Sequence, residues 1–154
     1  MKRILSLIAA SLSVFFYIGC NSGNQSDNTS NSTAAKKDSA KQDNGIGKFT
    51  NIRLTHPLDD SMISRGKLLY DSRCISCHKL TDEKLVGPGW KGVTDRRTPE
   101  WIMNFITNTN VMLDSDLVAQ QLVVTCITRM PNQNLSDDQA RAILEFMRKN
   151  DGKN

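Results

Sequence analysis

The chain has 154 residues, enough for one domain around a single core. Its formal charge of +4 is concentrated upstream: from Phe49 onward 14 lysines and arginines face 13 acids, a net of +1 (14 − 13). That balance excludes a basic face for nucleic acid, and the four cysteines, Cys20, Cys74, Cys77 and Cys126, find separate explanations rather than a disulfide framework.

Residues 1–19 carry Lys2 and Arg3 ahead of an apolar run from Ile4 to Ile18. This is a signal-peptide plan, and the run is short for a membrane span. It closes on Tyr17-Ile18-Gly19-Cys20, which resembles a bacterial lipobox, although Tyr17 stands where leucine is usual and Ile18 is larger than usual. Cys20 is the expected lipidation site; an uncleaved anchor helix is the alternative. Several acyl chains would tether the protein stably, since one chain is marginal. Asn21 to Asn44 is almost devoid of apolar side chains. It cannot bury enough surface to offset ordering entropy, so a disordered tether spanning about 25–30 Å is expected. The expected organisation is a signal peptide (1–19), a lipidated cysteine with linker (20–48) and a helical domain (49–154).

Gly45 to Pro57 is a lead-in in which Phe49, Ile52 and Leu54 alternate loosely; His56, held extended by Pro57, reads as a surface residue, with an axial ligand as the alternative. Leu58 to Arg73 is the first predicted helix, capped by Asp59, Asp60 or Ser61, with Met62, Ile63, Leu69 and Tyr70 as its apolar stripe. Gly66 inside that helix costs about 1 kcal/mol relative to alanine, which suggests close approach of another helix.

Cys74-Ile75-Ser76-Cys77-His78 follows. A C-x-x-C-H run is the attachment signature of c-type haem. One helical turn and a tight bend bring two thiols to the vinyl groups on one porphyrin edge, and the next side chain to the iron. His78 supplies a neutral imidazole nitrogen, a good iron ligand. A zinc site would need a second ligand pair that the chain lacks. A thioredoxin-like dithiol would need a preceding strand, and no strand pattern precedes Cys74.

Lys79 to Asp95 reads as loop, interrupted by glycines and Pro88. Thr98-Pro99-Glu100 starts a helix, with Trp101, Ile102, Phe105 and Ile106 at helical spacing. Asn108 to Asp114 reads as loop, and Asp114 or Ser115 opens a helix to about Thr125. Thr128 to Leu135 is a loop holding Met130-Pro131, and Ser136 to Gln139 is a capping box opening the last helix, which runs to about Asn150. Ala140, Ile143, Leu144, Phe146 and Met147 form its apolar face. No segment alternates as a strand should, so the fold class is all-α.

Gly66 to Tyr70, Cys74 to His78, Gly87-Pro88, Met130-Pro131 and Leu135 to Asp137 before Phe146 occur in an order that resembles a small bacterial class I cytochrome c, across about Leu58 to Asn150. The resemblance implies a cytochrome c-like helical domain wrapped around one haem c. Cys74 and Cys77 would form thioethers, and His78 and Met130 would be proximal and distal iron ligands. The Pro88 carbonyl would accept the hydrogen bond of the other His78 nitrogen. Gly66 and Tyr70 would cross the last helix near Phe146. Among the methionines, Met112 is the rival to Met130, because it too falls in a predicted loop. Trp101 is the expected hydrogen-bond donor to a haem propionate, ahead of Trp90. Arg96 and Arg97 are either propionate partners or a solvated turn. Cys126 reads as a small apolar packing residue, with a redox-active or dimer-forming thiol as the alternative.

With both axial positions filled, the expectation is an electron carrier rather than an enzyme, without a small-molecule substrate. It would be lipid-anchored on the periplasmic side of the cell envelope and would pass electrons between respiratory redox partners through its haem edge. The alternatives are a peroxidase or gas-binding site, or a subunit docked in a terminal oxidase or nitrogen-oxide reductase assembly.

Overall fold

The computed structural model describes residues 43–154. The expected signal peptide, Cys20 and the linker up to residue 42 lie outside them. Six helices follow in order: α1 (Asp60–Arg73), α2 (Val93–Arg96), α3 (Pro99–Thr107), α4 (Thr109–Ser115), α5 (Leu117–Cys126) and α6 (Asp137–Asn150). Among the described residues no strand forms, and the one isolated bridge pairs His78 with Lys84. The all-α expectation holds.

The helix starts are local and chemical. Asp59 accepts from the Met62 amide, Thr98 from the Trp101 amide, and Ser136 and Gln139 make a reciprocal capping box. The framework is the crossing of α1 over α6. A Cβ on Gly66 would stand 2.2 Å from the Ala142 carbonyl oxygen and 2.7 Å from the Phe146 Cβ, so only glycine allows this approach. Tyr70 fills the crossing from α1, its ring 5.7 Å from that of Phe146 and 4.9 Å from that of Trp90. α3 lies on the other flank of α6 and buries Trp101, Ile102, Met103, Phe105 and Ile106. Each such fully buried side chain contributes about 1.5–3 kcal/mol.

Two stretches expected as loop contain helix. Residues 79–92 are loop as expected and lead into the single turn of α2, whereas most of the stretch 108–114 lies in α4, with Asn108 at its N-cap position. Packing outweighs weak local signals in α4: Met112 and Leu113 are buried, and Thr109 donates to the Phe105 carbonyl at 2.9 Å. The helix expected from Asp114 or Ser115 starts later, because Asp116 caps α5 by accepting from the Ala119 amide at 2.8 Å.

The lead-in is strapped to α3 and α4. Asn104, buried, donates to the carbonyls of Asn44 (2.8 Å) and Phe49 (2.9 Å) and accepts from the Phe49 amide (3.0 Å). The Ile46 amide lies 3.0 Å from the Met112 sulfur. Packing thus begins upstream of Phe49. Farther along, Glu145 of α6 is fully buried and accepts from Thr55, the Asp59 amide (3.1 Å), Arg141 (2.6 Å) and Arg148 (2.9 Å), tying the lead-in to the last helix.

Candidate functional site

The Cys74–His78 run leaves the end of α1 as a tight turn. The Cys74 amide donates to the Tyr70 carbonyl at 2.9 Å, and the Cys77 and His78 amides both donate to the Cys74 carbonyl, at 3.0 and 2.9 Å. Tyr70 reaches over this turn and donates its hydroxyl to the His78 carbonyl at 2.7 Å. The His78 ring is fixed independently. Its Nδ1 is 2.8 Å from the Pro88 carbonyl oxygen. A carbonyl only accepts, so Nδ1 carries the proton and Nε2 keeps its lone pair. Burial pushes the His78 pKa down more than the Pro88 bond pushes it up, which keeps the ring neutral and able to ligate. Burial also raises the Cys74 thiol to about 11, against a smaller opposing effect of Arg73.

Two clefts of about 170 and about 130 Å³ meet at this histidine. Either alone is small for a macrocycle, but both are lined by His78, Pro88, Phe105, Leu122 and Met130, so they form one slot. Cys77 lines the first half, and Trp101 the second. Cys74 is buried on the same turn as Cys77. Met130 therefore shares the slot with His78, whereas the rival Met112 is buried on α4 against Ile46 and lines neither half.

Three features were not foreseen. Trp101 lines the slot, but its indole N–H is directed at the buried carboxylate of Asp116, 3.4 Å away, rather than left for a propionate. Cys126 is half-buried and lines the slot beside Met130. Gly87 makes room for the histidine: a Cβ there would stand 2.4 Å from His78 Cε1. The Gly87-Pro88 pair in the sequence carried a signal for this; nothing local announced Asp116.

The residues present suit a covalently held haem. An oriented neutral imidazole and a thioether line one apolar slot, a thiol reaches it at Cys77, and no carboxylate lines either half. A helical domain with such a slot beside a C-x-x-C-H turn defines a haem-binding protein. The Cytochrome c family model matches residues 63–151. The cytochrome c from Rhodothermus marinus is 38% identical, with a TM-score of 0.66, covering 69% of this chain and 90% of that one. An engineered form of it, bound to a carbene intermediate, is 36% identical, with a TM-score of 0.63 and coverage of 70% and 92%. The cytochrome c domain of a Pseudomonas putida protein shares the fold at 22% identity, with a TM-score of 0.50 and coverage of 56% and 88%. No curated protein sequence matches. The chain belongs to the cytochrome c family and, as a member, is an electron-carrying protein with one covalently bound haem c.

Proposed function

We propose that this protein is a monohaem carrier with His78 and Met130 as axial ligands, tethered through Cys20 to a membrane of the cell envelope on its periplasmic side. The observation that carries the ligation is the presence of His78 and Met130 in both halves of one slot, with His78 oriented by Pro88. Cys74 and Cys77 attach the group. When bound, haem supplies an iron that alternates between Fe(II) and Fe(III). The chain holds that iron between an imidazole and a thioether, which raises its potential relative to two imidazoles. Met130 thus fills the position that a reactant would need, which favours electron transfer over catalysis. Partners are redox proteins that meet the haem edge through small, weak contacts. The tether, rather than long-range charge, raises their local concentration.

Absorption spectroscopy of the haem-loaded protein tests the ligand. A ferric iron bound by methionine shows a weak near-infrared band. Met130→Ala is expected to abolish it and to let carbon monoxide bind the ferrous form; survival of the band overturns the assignment. Fatty-acid labelling that persists in Cys20→Ala overturns the lipid anchor.

A further inference from the structure

α5 is covered on one face only. Its inner side carries the buried Ala119, with Leu122 and Val123 lining the slot. Its outer side presents Leu117 and Val124, two turns apart and 75% and 80% exposed, and three residues on Ile127 is 90% exposed. From Leu117 to Thr128 the sequence holds no charged and no aromatic side chain; the outer stripe is broken only by the uncharged Gln121 and Thr125. The free face of a surface helix is ordinarily charged or polar. The stripe also continues beyond the helix: Lys84 donates to the Thr125 carbonyl at 2.8 Å, which brings the exposed Leu85 and Val86 alongside.

Ile127 is the sharpest part of the pattern. It closes α5 in the left-handed region, at φ 60°. Glycine or asparagine usually takes that place, and a β-branched residue there is an outlier. Its side chain stands in solvent, so no packing inside the domain offsets the misfit. A locally unfavourable choice without internal compensation points to a contact outside the domain.

Two observations choose the occupant. The stripe is aliphatic throughout. Contacts between proteins are dominated by Trp, Tyr and Arg, with Leu and Val under-represented, whereas aliphatic side chains suit the boundary between lipid headgroups and acyl chains. Lys84 forms no ion pair among the described residues and stands at the rim, where its amine can reach a phosphate headgroup. The second observation is where the chain enters. The Asp43 carbonyl accepts from the Thr98 hydroxyl at 2.8 Å, and Ile46 then lies against Met112 of α4, the helix that packs on α5. The chain therefore arrives on the flank of α5. A polar coil of the length of residues 21–42 would average about 25 Å, less than the width of a domain of this size. A lipidated Cys20 would thus keep that flank within reach of the bilayer.

We propose that the outer face of α5, with Leu117, Val124 and Ile127 at its centre, rests on the surface of the bilayer that holds the tether. This deepens the tethered-carrier reading and rests on it. Because the inner face of α5 lines the slot, docking holds the slot one helix diameter, ~10 Å, from the lipid. Electrons then enter and leave close to the membrane plane.

The test is hydrogen exchange, read by mass spectrometry, on the matured lipidated holoprotein in phosphatidylcholine vesicles at low surface density and on the Cys20→Ala holoprotein free in buffer. A domain docked for most of the time is expected to exchange its α5 amides about fivefold more slowly on vesicles, with α1 and α6 unchanged. The Leu117→Gln/Val124→Gln double variant is expected to lose most of that slowing. Leu68→Gln, which removes a comparably exposed leucine from α1, is expected to keep it. Ile127→Asn separates docking from folding: the thermal midpoint is expected to rise by about 2–4 °C while the slowing falls about twofold. A purely structural residue would move both in the same direction, so a lower midpoint or undiminished slowing overturns the role of Ile127. Equal exchange of α5 on and off vesicles, or slowing that survives the double variant, overturns the proposal. So does slowing that grows with the number of proteins per vesicle, which assigns the face to a second copy, or that requires an added redox partner, which assigns it to that protein. A wild-type protein without fatty acid overturns the tether and the proposal with it, whereas an acylated protein with unprotected α5 overturns the proposal alone.

Discussion

Three neighbours fix His78: Pro88 at its Nδ1, Tyr70 at its carbonyl and Gly87 against its ring. Gly87→Ala would place a methyl 2.4 Å from Cε1, so either the ring or the loop must yield. The expected result is a loss of about 1–3 kcal/mol in denaturant unfolding and a partly high-spin absorption spectrum as the imidazole swings off the iron. An unchanged spectrum would show that the loop gives way instead. Tyr70→Phe keeps the packing against Trp90 and Phe146 and removes only the hydroxyl. It is expected to cost about 1 kcal/mol, measured by the same unfolding curve, with the spectrum retained.

Among the elements, α6 carries the most unusual burial. Glu145 is fully covered and flanked on its own helix by Arg141 and Arg148. Burial alone would raise its carboxyl, but the hydrogen bonds from Thr55, Arg141, the Asp59 amide and Arg148 outweigh it and hold the group at about 2. The folded value thus lies below the ordinary 4.5. The stability this group contributes is present above pH 4.5 and is lost as pH falls toward 2, an effect of about 3 kcal/mol. Glu145→Gln is expected to cost about 3–5 kcal/mol, since it leaves the buried Arg148 and the half-buried Arg141 without their carboxylate, and to flatten the acid limb of the stability profile. A variant as acid-sensitive as wild type would place the effect on other carboxylates. Local signals made α1, α3 and α6 legible: Asp59, Thr98-Pro99 and the Ser136–Gln139 box each act within one turn. α2 and α4 were not legible, because one turn of α2 depends on Asp151 far along the chain and α4 depends on Met112 meeting the lead-in. The site divides the same way. Cys74 to His78 is contiguous and announces itself, Met130 is legible from the order of motifs, and the pairing of Trp101 with Asp116 emerges only when two helices meet.

At the scale of the molecule, α5 leans on α4 among the helices, and of its residues only Ala119 is fully buried, while Leu122 and Val123 line the slot. Haem held in the slot would complete its inner face. A Cys74→Ala/Cys77→Ala protein, unable to attach haem, is expected to exchange the amide hydrogens of α5 fastest, with the α1–α6 crossing the last to exchange. Equal protection of α5 and α6 would contradict this. The strap at Asn104 has a different bearing. Any pull arriving through the residues before Asp43 meets first the Thr98 hydroxyl on the Asp43 carbonyl (2.8 Å) and then the Asn104 clamp on Asn44 and Phe49, both on the cap and body of α3 rather than on the Met130 loop. A tug from upstream would be borne there in tension, leaving His78 and the Met130 loop mechanically shielded.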